Sequence, residues 1–442
     1  MWVRGNVARA KLLCYRESVD QAVITGVGVV SPNAQGWPAF RRALVEGRSG
    51  VRRIELFDPG RLKTRIAGQA LEFDAAAHLP AGDRDLRHIS RAVPMALAAS
   101  GEAMSDAGLA AERLTDEDRR RFGVCIGSGG GPIDFSERQY EIYFGNGHHG
   151  HREDSARLSV YNISSSTTGT LGSEISIHFG LRGLSHVISD GCTSSSDAIG
   201  YALHHIRSGR LDRVLTGGVD ATITPGIMAG FDMMRVLAAR WNDDPARASR
   251  PFDAARDGFV LGEGAWMFVL ERADLALGRD ARIYGEIRGY GATCEAHHRV
   301  KLKDPAESAR AMRLAVEDAN LTLADIGHIQ VHGTSTRMND AIETEAVKAA
   351  FGPAGRRIPC SSVKSMIGHP QGASGAAGLA AALLPITDGV VSPTVNLDEP
   401  DPACDLDYVP NRARKWRCDA ALVNTLAFGS KNAALIVSRH VA

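Results

Sequence analysis

The chain has 442 residues, long enough for two core-forming halves or one large layered domain, and its 51 basic and 51 acidic side chains cancel. That balance argues against a nucleic-acid binder, and no apolar run approaches the roughly 18–20 residues that a bilayer-spanning helix needs. Seven scattered cysteines with no CxxC pair point to a reduced, cytoplasmic setting.

Residues 1–20 carry Arg4, Arg9, Lys11 and Arg16 without a signal-type apolar core and read as an N-terminal extension. Beyond them, strand patterns cover 22–30, 121–127, 185–189, 212–217 and 264–271, then 283–290, 326–331, 359–362, 422–427 and 433–438. Helical spacing covers 90–107, 197–207, 306–319, 340–351 and 372–384. The alternation predicts parallel sheets with crossover connections. The stretch 129–166 has little periodicity and reads as an irregular excursion at a dimer edge or over a pocket. Its Gly147-His-His-Gly-His151 run lacks regular ligand spacing and is expected to be a solvated loop, not a metal site. Cys125 leads into Gly127-Ser-Gly-Gly-Gly131; with no Lys-Ser/Thr or GxGxxG, the glycines serve backbone clearance beside a pocket.

Cys192 lies in Ser189-Asp-Gly-Cys-Thr-Ser-Ser-Ser196, between a strand and a helix that opens with small residues. Free N–H groups there and the helix dipole favour a thiolate and hold a developing oxyanion. A second strand–loop–small-residue unit runs from Ile358 to Gly375 and contains Lys364 and His369. Equivalent corners in two halves would bring Cys192 and His369 face to face across a pseudo-twofold. A third polar segment, Val331-His-Gly-Thr-Ser-Thr-Arg-Met-Asn-Asp340, adds His332 at a strand end. A nucleophilic Cys with two His and a Lys suits formation of an acyl thioester, and two neutral imidazoles suit an enolate formed by loss of CO2. Lys364 is expected to pair with Glu343. A lone Cys or His is ordinarily packing; three such corners in one chain are not.

At these residues the chain resembles the elongating, decarboxylating β-ketoacyl-[acyl-carrier-protein] synthases of fatty-acid and type II polyketide synthesis. The resemblance starts at Val23-Ile-Thr-Gly-Val-Gly-Val-Val-Ser-Pro32 and runs almost to the C-terminus. It includes Ser249-Arg-Pro-Phe-Asp-Ala-Ala-Arg-Asp-Gly-Phe-Val-Leu-Gly-Glu-Gly264, Pro393-Thr-Val-Asn-Leu397 and Asp405-Leu-Asp-Tyr-Val409. It implies an α/β, thiolase-like, five-layered α/β/α/β/α fold of two duplicated βαβαβαββ halves. The halves would span 21–275, with the nucleophile, and 276–442, with both His. It also implies a homodimer, or a heterodimer with a chain-length-factor-like paralogue, with no membrane and no nucleic acid as partner.

By the resemblance, Cys192 takes the acyl chain from an acyl carrier protein, while His332 and His369 bind the malonyl thioester. Lys364 and Glu343 support the histidines, and the N–H groups of Cys192 and Phe428 form the oxyanion hole. Thr334 and Thr336 line the pantetheine channel, and Phe231 and Gly130 belong to the substrate-binding set. No cofactor is implied beyond the carrier's phosphopantetheine, and no metal. Arg235, with Lys63 and Arg65, is expected to meet the carrier protein, in a patch that also takes in Arg61, Arg207 and Arg210.

Departures from the family pattern shape the substrate expectation. The loop usually written Gly-Phe-Gly-Gly-Thr-Asn reads Ala427-Phe-Gly-Ser-Lys-Asn432, which puts its flexibility in doubt and sets Lys431 at the entrance. Gly130 stands where relatives have an apolar side chain, opening room for a longer chain, and Ser164-Ser-Ser-Thr-Thr-Gly-Thr170 is unusually polar. Both favour a polyketide or polyene intermediate over a saturated chain. The alternatives are primary fatty-acid elongation, a noncatalytic chain-length-factor-type subunit, which commonly lacks the Cys, and a thiolase, for which Cys360 and Cys404 are poorly placed.

Overall fold

The computed structural model describes residues 21–79, 85–145 and 155–441. The N-terminal extension and the 147–151 loop lie outside the described residues. Ten strands form the path of one sheet, to which Ala34–Gln35 adds a short eleventh. They are β1 Ala22–Ser31, β2 Phe122–Gly127, β3 Ser185–Ile188, β4 Arg213–Asp220 and β5 Gly264–Arg272, then β6 Gly285–Cys294, β7 His328–Gln330, β8 Cys360–Ser361, β9 Ala420–Ala427 and β10 Lys431–Ser438.

The spatial order β3-β2-β4-β5-β1 in the first half is repeated as β8-β7-β9-β10-β6 in the second. The directions repeat as well. β2 is parallel to β3 and β4, and β7 to β8 and β9; the remaining neighbours in each half are antiparallel. Alternation alone predicted parallel sheets; the antiparallel pairs β4–β5 and β9–β10, the second joined by a turn of only residues 428–430, make them mixed. The halves join edge to edge where Ala22, Val23 and Ile24 pair with Ile287, Glu286 and Gly285. The expected boundary at 275/276 falls inside the short helix Ala273–Gly278.

Six helices complete the layers: α1 Ala92–Asp106, α2 Thr170–Phe179, α3 Ser194–Arg207, α4 Ala306–Asp318, α5 Arg337–Phe351 and α6 Ser374–Thr387. Alternate residues of each strand serve opposite layers, as the period-two pleat demands. Trp266, Phe268 and Leu270 of β5 face the central core with α3 and α6, whereas Met267 and Val269 face α1 and α2. In the second half Leu435 and Val437 face the central core, while Ala434 and Ile436 face α4 and α5. All but the last residue of α6 are buried, which explains a sequence apolar around its whole circumference.

Within the expected irregular excursion the structure has an amphipathic helix, Ile133–Tyr143, which buries Phe135 and Gln139. The helices Trp37–Glu46 and Pro225–Met234 were also illegible, each being a single ten-residue element entered at a Pro.

The two central helices begin where backbones nearly touch. A Cβ on Gly372 would stand 2.1 Å from the Gly129 nitrogen, and one on Gly375 would stand 2.1 Å from Ser196 Oγ. Both are contacts between the halves. Gly372→Ala is therefore expected to lose about 3 kcal/mol of stability, the upper end for overpacking, because the obstacle is backbone and cannot swing aside. Denaturant unfolding measures it.

Candidate active site

Two corners built alike hold the reactive groups. In the first half the turn Gly191–Thr193 leads into α3; in the second Gln371–Ala373 leads into α6, and both helices have 14 residues. Gly191 has φ 69°, a left-handed conformation that favours glycine, and it turns Cys192 inward. Cys192 Sγ lies 3.3 Å from His369 Nε2. His332, just past the end of β7, completes the group, so that one polar atom from each of the three lies within 4.8 Å of the others. The imidazole rings stand edge to face, 5.2 Å between centroids at 87°. All three side chains are buried. The pseudo-twofold expectation holds.

The hydrogen bonds fix where the protons sit. The Gln371 backbone N–H donates to His369 Nδ1 at 3.2 Å, and a backbone N–H can only donate. Nδ1 therefore carries no proton, and Nε2–H faces the sulfur. Ser374 Oγ lies 3.1 Å from the same Nδ1. Lys364 Nζ is 3.3 Å from His332 Nδ1, and an ammonium likewise only donates, so His332 also presents Nε2–H. Burial holds both imidazoles well below the usual histidine range, helped by the Lys364 charge. They are neutral donors. Burial brings Lys364 down to about 8, against the pull of Glu343, Cys192 and Asp340.

By distance alone, one sulfur and two imidazoles suit a soft metal ion. Metal-bound histidines, however, donate their other N–H outward and keep the inward nitrogen free. Here the inward nitrogens carry the protons, so the trio is arranged to donate hydrogen bonds.

Cys192 departs from expectation in one respect. The helix terminus was expected to favour the thiolate, yet burial pushes the thiol up to about 11, outweighing Lys364 and the backbone N–H groups of Phe428 and Cys192 that act on the sulfur. The convergence of those two N–H groups on Sγ is the arrangement expected of an oxyanion hole.

The expected Lys364–Glu343 pair is corrected. Among the described residues no ion pair joins them: Lys364 reaches His332, and Glu343 grips the chain. Its oxygens accept from the His332 N–H and the Gly333 N–H, both at 2.7 Å, and from Asn424 Nδ2 at 2.7 Å. Sequence reading missed Asp220, which ends β4. Its buried carboxylate accepts from Ser128 Oγ and the N–H groups of Gly129, Gly130 and Gly372, tying the loop after β2 to the second corner. The signal was an acid closing an otherwise apolar strand. Asp340 similarly holds Thr334 N–H and Phe252 N–H.

The three reactive groups open into a cavity of about 150 Å3 whose walls include Thr334, Thr336, Phe259, Val236 and Phe428. The Thr334 and Thr336 hydroxyls in this wall lie 2.9 Å apart. Phe428 is 42% exposed at the mouth. Phe231 lies behind the wall, edge-on to Phe259 at 5.2 Å, and Phe259 in turn meets the His369 ring at 5.3 Å.

Gly130 opens no room. A Cβ there would lie 2.2 Å from Thr222 Cγ2, so the space is already filled. Nor do the hydroxyls of 164–170 line this cavity. Thr167 Oγ1 donates to the Ser164 carbonyl at 2.9 Å and lies 3.1 Å from Thr170 Oγ1, capping the turn into α2.

Lys63 N–H bonds Asp232 and Arg65 N–H bonds Asn242, which sets this segment against Arg235 at the end of Pro225–Met234. Lys63 and Arg235 are exposed, Arg65 is half-buried, and Val236 lines the cavity. Arg207 does not join them. It closes the far end of α3, about 20 Å from the start of that helix at 1.5 Å per residue, paired with Asp318. Lys431 pairs with Asp190, two residues before the nucleophile.

Comparison with known proteins places this geometry. The beta-ketoacyl synthase N-terminal domain matches residues 20–276, and the beta-ketoacyl synthase C-terminal domain matches 284–398. An actinorhodin polyketide putative beta-ketoacyl synthase 1 of Streptomyces coelicolor is 41% identical over 94% of this chain and 88% of its own. The 3-oxoacyl-[acyl-carrier-protein] synthase 2 of Vibrio harveyi is 37% identical over 96% and 99%. Among solved structures, a type II polyketide ketosynthase in complex with its acyl-carrier protein and bound to the hexaketide superposes with a TM-score of 0.87 at 30% identity, covering 95% of this chain and 99% of that one. With its thiolase-like halves and its cysteine facing two histidines, the chain belongs to the beta-ketoacyl synthase family.

Proposed function

We propose that the chain catalyses decarboxylative Claisen condensation of an acyl group carried on Cys192 with malonyl-acyl-carrier-protein. Sγ attacks the carrier-bound thioester, an S–C bond forms, and the carrier's phosphopantetheine thiol leaves with the proton. Malonyl-carrier protein then enters past Thr334 and Thr336. Its C–CO2 bond breaks, CO2 departs, and the enolate oxygen is held by the Nε2–H groups of His332 and His369. The enolate carbon attacks the acyl-Cys carbonyl, whose oxyanion lies between the N–H groups of Cys192 and Phe428; collapse breaks the S–C bond and expels the sulfur as a thiolate, which takes a proton from solvent to restore the thiol. The observation that carries this reading is the pair of neutral imidazoles, each with its inner proton dictated by an obligate donor on its outer nitrogen. No cofactor enters beyond the carrier's phosphopantetheine.

The substrate we assign is a type II polyketide intermediate. The support is the higher identity to the actinorhodin synthase than to the Vibrio synthase, 41% against 37%; the Gly130 argument no longer contributes. Retention of Cys192, His332 and His369 favours a catalytic subunit over a noncatalytic partner. Lys63, Arg65 and Arg235 beside the mouth suit the acidic helix of a carrier protein. β3 is a sheet edge with Ser185 and His186 exposed, a surface that calls for cover by a second subunit, identical or paralogous.

Incubation with acyl- and malonyl-carrier proteins, read by mass spectrometry of the carrier, tests the reaction. A 3-oxoacyl carrier product, two carbons longer than the starter, is expected; its absence with a folded, acylated enzyme sinks the reading. A pH prediction accompanies it. As pH rises through about 8, Lys364 loses the charge that steadies the enolate, and malonyl decarboxylation is expected to fall. Lys364→Met should be slower and flat across that window.

A further inference from the structure

The two N–H groups that converge on Cys192 Sγ belong to segments far apart in sequence. One follows Asp190 by two residues; the other precedes Lys431 by three. Between these segments Lys431 Nζ meets the Asp190 carboxylate. Each end of the ion pair is itself anchored. The Asp190 N–H donates to Ser194 Oγ at 2.8 Å, and Thr193 Oγ1 donates to the Asp190 carbonyl at 3.2 Å, so the carboxylate is rigid with the nucleophile's turn. Lys431 opens β10 in register with Ala427 of β9, so it is rigid with the hairpin that presents Phe428. The hairpin tip has two left-handed residues, Gly429 at φ 85° and Ser430 at φ 66°, the second with a side chain. It is braced from the other side by Gly429 N–H to the Arg299 carbonyl at 2.8 Å and Ser430 Oγ to the His298 carbonyl at 3.0 Å. At the seam, a Cβ on Gly191 would lie 3.6 Å from Ala427 Cβ and 4.0 Å from the Phe428 carbonyl oxygen.

We infer that Lys431 and Asp190 are positioning residues: their ion pair is a clasp that sets the spacing of the two oxyanion donors, compensating for the loop residues in which this chain departs from Gly-Phe-Gly-Gly-Thr-Asn. Neither side chain touches the reacting atoms. The pair is 41% and 38% exposed, so it adds little to global stability and is open to screening by salt. Its effect is geometric, because oxyanion stabilisation depends on donor placement to a fraction of an ångström. Asp197, the nearest further carboxylate of α3, is engaged by the Tyr290 hydroxyl at 2.6 Å, which leaves Asp190 as the partner for Lys431.

The inference rests on the proposed condensation for its kinetic consequence but not for its structural one, and the test separates them. Lys431→Met and Asp190→Asn are each expected to lower kcat for acylation of Cys192 about tenfold, a fraction of the 10²–10³ that full removal of a donor costs, with KM unchanged. The double variant should be no worse than either single one, and the exchange Lys431→Asp with Asp190→Lys should restore most of the rate. Hydrogen–deuterium exchange of the free protein should quicken in the peptides around 191–193 and 428–432 together, in either single variant. Coupled exchange changes in a protein that takes up no acyl group would uphold the clasp and sink the condensation. Unchanged exchange, additive rate losses, or a rise in KM alone, the mark of a carrier-docking charge, would overturn the clasp.

Discussion

Cys192→Ala is expected to take up no acyl group from a carrier protein while keeping its fold. The sulfur meets His369 Nε2 and the backbone N–H groups of Phe428 and Cys192, and Ala at this position leaves these donors facing the cavity that Cys192, His369 and Phe428 line. Thermal unfolding should therefore move little, whereas intact-protein mass spectrometry should show complete loss of the acyl adduct. Cys192→Gln divides the reaction in two. The side-chain amide fills the place of the acyl thioester without being able to form one, and the donors His332 and His369 are untouched. This variant is expected to release CO2 from malonyl-carrier protein and leave acetyl-carrier protein without any condensation product. An acyl adduct on Cys192→Ala would remove the nucleophile assignment. A Cys192→Gln variant inert toward malonyl-carrier protein would remove the enolate role of the histidines.

The legible parts of this molecule were those with a local signature. The strand patterns were visible because each strand alternates between two apolar layers, and α3 and α6 because they announce themselves with small residues at a close backbone approach. Cys192, His332 and His369 stood out as polar residues at the ends of apolar strands. Contacts set by the three-dimensional path of the chain were not legible. Glu343 and Lys364 look like an ion pair in sequence, and only the path of the chain shows that Lys364 reaches an imidazole while Glu343 satisfies backbone donors. Gly130 looked like open space because nothing local marks Thr222 as its neighbour. The patch drawn through Arg207 failed for the same reason: sequence closeness to Cys192 is, along a helix, distance. The raised thiol pKa of Cys192 reflects burial, a property of all layers together.

Glu343→Ala should have the second large effect, and here on fold and chemistry at once. The carboxylate is wholly buried and accepts three bonds, from the N–H groups of His332 and Gly333 and from Asn424 Nδ2. Removing it strands three buried donors at roughly 1–3 kcal/mol each, a large share of the roughly 5–15 kcal/mol that holds a domain. A fall in Tm on the order of 10 °C is expected. Glu343→Gln keeps the shape and one acceptor but turns an NH2 group toward a backbone N–H, so the strand end carrying His332 must shift. Stability should suffer less there, and malonyl decarboxylation should drop about a hundredfold at unchanged KM, because the imidazole is displaced while the pantetheine channel is intact. Comparing the two variants separates support of the chain from orientation of the donor. If Glu343→Gln decarboxylated at the wild-type rate, the grip on the His332 backbone would be structural alone, and the placement of that Nε2–H would have to come from Lys364.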